Sequence, residues 1–192
     1  MFAKQLPAFL IVLFCGLSAI AAPKDTSKCS SVSKTHIGEK KQVLLETKNC
    51  GGEVNSVADS KIAKDGNSNP TNVCGAKCHT VCYSKDPPYY TPGDCQVLYD
   101  TIWYESQRNV KGHEFVILKG QTMTMSYSTC EISFVNEGTD LDLVYCRDDW
   151  GAVIRYIATS GTCPFGGVCV SEDKNGPQWS INAVGTTPIQ GN

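Results

Sequence analysis

Three cysteines spaced Cys74-x3-Cys78-x3-Cys82, with His79 among them, are of the types that ligate zinc, thiolate and imidazole. The spacing departs from the usual Cys-x2-Cys knuckle, so disulfides are expected there instead of a metal. A second group, His113-Glu114 with Arg108 and Lys111 nearby, has the residue types of a secreted ribonuclease or another acid–base site. Only His36, His79 and His113 have side chains that ordinarily titrate near neutral pH. Adjacent strand residues face opposite sides, which argues against His113 and Glu114 sharing a substrate and favours a solvated helix-to-strand loop. Asp148-Asp149 has the form of a carboxylate pair for glycoside chemistry or cation binding. Both open a predicted helix, however, where the helix dipole favours negative charge without any chemistry. The sequence contains no serine-nucleophile elbow, phosphate loop or helical metal motif. No catalytic residue, metal or cofactor is therefore assigned.

The run Asp86-Pro87-Pro88-Tyr89-Tyr90-Thr91-Pro92 is better suited to binding than to reaction. Prolines stiffen a loop, and tyrosines on it offer an apolar face and a hydroxyl at low entropic cost, which suits a partner surface or a sugar ring. Tyr89 and Tyr90 are accordingly the expected partner-binding residues; the competing role is packing over the adjoining helix. The run also matches the Pro-Pro-x-Tyr form read by WW domains, which are intracellular and matter only if the protein re-enters a cell.

The amino-terminal segment sets the compartment. Lys4 supplies one positive charge, residues 6–17 are apolar apart from Pro7, Cys15 and Gly16, and Ala19-Ile20-Ala21 has the small-x-small form of a cleavage site, which predicts a signal peptide over 1–21. A membrane span needs about 20 apolar residues, and this run is shorter and followed by Pro23, Lys24 and Asp25. A secreted, extracellular product without a membrane anchor is expected. Cys15 leaves with the leader, so ten of the eleven cysteines remain: Cys29, Cys50, Cys74, Cys78, Cys82, Cys95, Cys130, Cys146, Cys163 and Cys169. An even set in an oxidising compartment implies five disulfides, whose pairing the spacing leaves open. A net charge of −2 over 192 residues offers no electrostatic ground for nucleic-acid binding. Charge is nevertheless uneven: 22–50 carries six lysines against three acids, and 131–149 six acids against one arginine. Such asymmetry can steer a charged partner, although a solvated strand face is its commoner cause.

Three segments follow: the leader, a lysine-rich strand-and-loop region over 22–73, and a cysteine-rich domain over 74–192, the last two forming one compact unit. Within 22–73 only 42–47 reads as a strand, and 51–73 as a long exposed loop tied by cysteines. Thr91-Pro92-Gly93-Asp94 reads as a turn plus N-cap, after which Cys95, Leu98, Tyr99, Ile102 and Trp103 form the stripe of an amphipathic helix. Trp150, Val153, Ile154, Ile157 and Ala158 repeat that spacing and predict a second helix over about 148–159. Each helix opens at a cysteine, which suggests a weak internal duplication and places Trp103 and Trp150 on equivalent faces, both expected to be buried. Strand alternation through Met123, Met125 and Tyr127 changes parity before Cys130, Ile132 and Phe134, requiring a turn or bulge at Ser128-Thr129. With 114–118, 141–145, 168–171 and 178–184, six or seven strands result. The economical packing is α+β: an antiparallel sheet with two helices packed on one face, a disulfide-rich two-layer sandwich.

The segments Val73-Cys74-Gly75-Ala76-Lys77-Cys78-x3-Cys82, Gly93-Asp94-Cys95-Gln96-Val97-Leu98, Tyr127-Ser128-Thr129-Cys130, Tyr145-Cys146-Arg147-Asp148-Asp149-Trp150 and Gly167-Val168-Cys169-Val170 resemble the small secreted cysteine-rich proteins of basidiomycete fungi. More loosely, the Asp-Cys-x2-Leu helix start and Gly161-Thr162-Cys163-Pro164-Phe165-Gly166 resemble the fungal necrosis-inducing effector family and the killer-toxin-like α/β sandwiches. That resemblance implies a non-catalytic effector or toxin-like factor, and it carries over no functional residue. The expected partner is an extracellular protein or glycan, and the expected state is a monomer. Two other readings stand beside this one: a small secreted hydrolase using His113, Glu114 and Arg108, and a carbohydrate-binding cell-wall protein using Tyr89.

Overall fold

The computed structural model describes residues 29–50, 69–85, 88–108, 113–138 and 140–187. The leader, its cleavage site and most of the 51–73 loop lie outside the described residues. Strands β1 (Ser30–Ile37), β2 (Val43–Asn49), β6 (Gln121–Tyr127), β7 (Cys130–Asn136), β10 (Trp179–Gly185), β9 (Gly167–Ser171) and β4 (Cys78–Cys82) build a seven-stranded antiparallel sheet in that spatial order. A smaller sheet has the order β3 (Thr71–Asn72), β8 (Leu143–Cys146), β5 (Glu114–Ile117), with β3 parallel to β8. Helix α1 (Pro92–Arg108) lies against β2, β6 and β7, and α2 (Arg147–Ile154) against α1 and β10. The fold is thus the disulfide-rich α+β arrangement expected from the periodicity.

Register decides which side chains the helices cover. Leu45, Met125, Ile132 and Ala183 share one rung, and Met123, Phe134, Ile181 and Cys169 the next. The opposite face carries Glu46, Thr124, Ser133 and Asn182 in one rung and Lys48, Thr122, Val135 and Ser180 in another, a set polar apart from Val135 that alternation sends away from the helices. Beneath α2 the core is aromatic: Phe134 stacks on Trp179 at 5.7 Å and lies 4.7 Å from Tyr145, while Phe115 lies 5.2 Å from Trp150. These rings join the two sheets. The bridges are Cys29–Cys50, Cys74–Cys146, Cys78–Cys169, Cys82–Cys163 and Cys95–Cys130, all ten cysteines of the expected set.

The parity change resolves into a two-residue hairpin turn, with Tyr127 opposite Cys130 and Ser128 at φ 50°. Several expectations require correction. Strands β1, β3 and β4 add to the six or seven foreseen, because β1 is exposed along nearly its whole length and carries no apolar alternation to read. Helix α1 starts at Pro92, the first-turn position that needs no N–H, and Asp94 sits inside that turn. Helix α2 gives way at Arg155–Thr159 to a π-helical turn, whose Ser160 N–H donates to the Arg155 carbonyl at 2.9 Å. The duplication fails in space, since the chain leaves α1 for the small sheet and α2 for the large one.

Trp150 is buried as expected, but Trp103 is 50% exposed. The β1–β2 turn explains the difference: Gly38 abuts Thr101 and donates its N–H to Glu105 Oε1 at 3.0 Å. That contact draws the buried arc of α1 onto Leu98, Thr101, Ile102 and Ser106. Trp103, about 100° further round from Ile102, is left outside it.

Candidate binding surface

The chain between β4 and α1 is held from several sides. Tyr90 is 7% exposed, and its hydroxyl donates to the Cys163 carbonyl at 2.7 Å. Burial pushes that phenol above its ordinary pKa, with a hydrogen bond accepted from the Gly166 backbone acting the other way. The Thr91 N–H donates to Thr129 Oγ1 at 2.8 Å. A side chain at Gly185 would run into the Pro88 carbonyl, so the end of β10 lies directly against this segment. Tyr90 therefore belongs to the core and is withdrawn from any partner, which also removes the tyrosine a Pro-Pro-x-Tyr reader would need; Asp86 and Pro87 lie outside the described residues.

Tyr89 is in the opposite situation. It is 46% exposed, and its ring lies 5.8 Å from that of Phe165 at a tilt of 52°. Phe165 is placed by the Cys82–Cys163 bridge and by the turn in which the Gly166 N–H donates to the Cys163 carbonyl at 3.0 Å. Gly166 is required at that turn, because its φ is +90° and a Cβ would meet the Ala183 carbonyl. Alongside, Tyr83 donates its hydroxyl to Asn182 Oδ1 at 2.8 Å, and burial pushes its pKa up to about 12. Tyr89 and Phe165 thus form an aromatic ledge whose backbone is fixed before any partner arrives. Sequence reading missed Phe165; its only signal was an aromatic ring between cysteine, proline and glycine in Cys163-Pro164-Phe165-Gly166.

The acid–base residues come together differently from the expectation. His113 Nδ1 lies 3.2 Å from Asp148 Oδ2, joining two groups that the sequence kept apart. Glu114 faces elsewhere, accepting from Asn72 Nδ2 at 3.4 Å, in keeping with the opposite-face rule. Arg108 lies over the Tyr104 ring, and the guanidinium beside Glu114 is that of Arg147, donating to the Glu114 carbonyl at 2.8 Å. Burial lowers the pKa of Arg147, with the Glu105 charge opposing. Among the described residues no hydroxyl or thiol is hydrogen-bonded to His113.

Asp148 and Asp149 occupy the first turn of α2 as expected, and Asp149 Oδ2 accepts the Gly75 N–H at 2.6 Å. Other acids of 131–149 also serve locally: Asp142 Oδ1 accepts the Lys119 N–H and Glu137 Oε1 the Ser180 hydroxyl. Cys74, Glu114 and Cys146 bring potential ligand atoms within 4.8 Å of one another. The two sulfurs are bonded to each other, however, and offer no thiolate. Cys74, Cys78 and Cys82 go to three different partners, and His79 is exposed on β4. Among the described residues no helix is long and apolar enough to cross a membrane. No protein-family model matches the chain, and no curated protein matches it.

Proposed function

We propose that this is a secreted, non-catalytic protein that binds an extracellular protein or glycan through the ledge of Tyr89 and Phe165, in the manner of a fungal effector or toxin-like factor. The exposed tyrosine on an immobilised backbone carries this reading. A ring already ordered in the free protein loses little conformational freedom on binding, so more of its contact energy appears as affinity. Five disulfides are compatible with an oxidising, extracellular setting. A second reading, a small hydrolase, is favoured by the contact of His113 with Asp148.

Retention of the secreted protein on insoluble chitin, β-glucan and immobilised host-surface glycoproteins tests the proposal. Tyr89→Ala and Phe165→Ala should each abolish retention on the surface that captures the wild type, without changing the melting temperature by more than a few degrees. Retention that survives both substitutions refutes the ledge. Hydrolysis of RNA or wall polysaccharide that disappears in His113→Ala would refute the non-catalytic reading.

A further inference from the structure

Between the turn at Gly75–Cys78 and the outer side of α2 lies a cleft of about 330 Å³, near the lower end of the ~300–1,000 Å³ typical of ligand sites. Tyr145 lines it and is 1% exposed. Among the described residues its hydroxyl has no protein hydrogen-bond partner, and the oxygen is not among the atoms sealed from solvent, which leaves its hydrogen-bonding capacity open. Asp149 lines the same cleft, with Oδ2 engaged by the Gly75 N–H and no ion pair among the described residues. The two groups are electrostatically coupled: burial foremost, and then the Asp149 charge, raise the phenol's pKa and keep it protonated.

The chemistry of the lining narrows the ligand. Anions are disfavoured, because Asp149 and Glu172 line the cleft against Lys77 alone, and the first turn of α2 is already occupied by carboxylates. Ala76, Ala152 and Val153 supply apolar wall that would suit a hydrocarbon stem. A phenol oxygen accepts hydrogen bonds as well as donating them, and a carboxylate only accepts. An ammonium group satisfies both acceptors and compensates the Asp149 charge, whereas a neutral hydroxyl would satisfy the bonds and leave the charge.

We propose that this cleft binds an alkylammonium group, with the Tyr145 oxygen and the Asp149 carboxylate as acceptors and Ala76, Ala152 and Val153 holding the methylene stem. The site shares no residue with the Tyr89 ledge and stands independently of it. The ammonium can come from a lysine side chain of a partner protein or from a free small amine.

Amide-resolved NMR titration of the oxidised, secreted protein provides the test. The probes are Nα-acetyl-lysine methylamide, n-butylamine, Nε-acetylated lysine methylamide and methyl α-glucoside. Saturable shifts at Gly75, Ala76, Ala152 and Val153 with a Kd of about 1 mM or tighter are expected for the lysine derivative. Comparable binding of n-butylamine identifies the ammonium and its stem as sufficient, so that free amines are ligands too; much weaker binding of n-butylamine identifies peptide-borne lysine as the source. Asp149→Asn retains an acceptor for the Gly75 N–H and should weaken binding about tenfold or more, and Tyr145→Phe, which deletes only the hydroxyl, severalfold. Equal binding of the Nε-acetylated probe, binding of the glucoside alone, or no saturable shift with any probe overturns the proposal. The probe comparison is made on the wild type and survives if either variant fails to fold.

Discussion

Replacing Trp150 with alanine should remove the ring that seats α2 on the aromatic core. Trp150 is 1% exposed, with its ring centroid 5.2 Å from that of Phe115 and 6.4 Å from that of Phe134. An aromatic side chain of this kind buries roughly 150–250 Å², which at about 25 cal/mol per Å² corresponds to about 4–6 kcal/mol of transfer free energy. Against this, its Nε1 is buried with no hydrogen-bond partner among the described residues, and removing an unsatisfied buried donor recovers roughly 1–3 kcal/mol. The net loss for Trp150→Ala is therefore about 3 kcal/mol, at the low end of the range usual for this substitution. Trp150→Phe keeps a ring while removing the orphan donor, and should cost about 1 kcal/mol or less. Trp103→Ala, on the uncovered side of α1, should stay within about 0.5 kcal/mol of the parent. Urea unfolding without reductant checks all three through shifts in midpoint at constant slope. Iodide should quench a single accessible tryptophan in the native protein, and Trp103→Phe should abolish that quenching. A Trp103→Ala variant as unstable as Trp150→Ala would refute the assignment of the core, and a Trp150→Phe variant as unstable as Trp150→Ala would refute the role given to the orphan donor.

Asp94 accepts the Thr129 N–H at 3.1 Å and the Thr129 hydroxyl at 2.6 Å. Burial pushes this carboxyl up, but hydrogen bonds from Thr129 and Ser128 outweigh it and hold the pKa below its ordinary value. Its stabilisation is thus full above the unfolded pKa and lost as pH falls through the folded one; Asp94→Ala should cost about 1–2 kcal/mol near neutral pH and progressively less in acid, as measured by urea midpoints. Glu131 has the opposite sign: burial raises its pKa, the attraction of Lys48 opposes this, and the Glu46 charge adds a smaller upward push. The folded state holds its proton longer than the unfolded one, so stability falls as pH rises from the ordinary carboxylate value through the raised one. Glu131→Gln should exceed the wild type in melting temperature above that window and match it below; the reverse order would contradict the burial assigned to Glu131. Gly185→Ala should drive a methyl group into the Pro88 carbonyl, costing roughly 1–3 kcal/mol and shifting the amide resonances of Tyr89 and Tyr90; unchanged resonances there would count against the close approach.

The helices and the central hairpin were legible because their signals are local. The 3.6-residue stripe marked both helices, and the parity change at Ser128-Thr129 marked a turn that β6 and β7 close tightly. Edge strands left no such trace. Among the described residues β1 pairs only with β2, so its side chains escape the burial that writes an alternating pattern, while β4 is held by Cys78 and Cys82 instead of by apolar contacts. Trp103 shows the limit of a helical stripe: periodicity identifies an apolar arc, but which half is covered depends on the β1–β2 turn arriving from far away in sequence. The same holds for surface residues. Composition selected the tyrosine pair, yet only the Tyr90 hydrogen bond to Cys163 and the Phe165 contact separate a core tyrosine from an exposed one. Likewise the meeting of His113 with Asp148 needed the β5–β8 register, which no spacing encodes.

The disulfides connect this geometry to stability. Three of the five anchor the short segment from Cys74 to Cys82, with sequence separations of 72, 91 and 81. That segment comprises a turn and an edge strand with mostly exposed or half-buried side chains, so burial alone gives it little hold. In the chain-entropy model, closing a loop of such length disfavours the unfolded state by about 4.5 kcal/mol when taken singly; the loops overlap, so the three effects do not add. Their positional effect is separate from that energy. Cys74–Cys146 ties the turn to the start of α2 and Cys78–Cys169 ties β4 to β9, which holds Gly75 and Ala76 opposite Asp149 across the cleft. Cys82–Cys163 does the same for the loop bearing Phe165 beside Tyr89. Both proposed contact regions therefore border this segment, poor in core and rich in cross-links: covalent bonds hold it against elements fixed by packing, α2 and Tyr145 at the cleft and Tyr90 at the ledge.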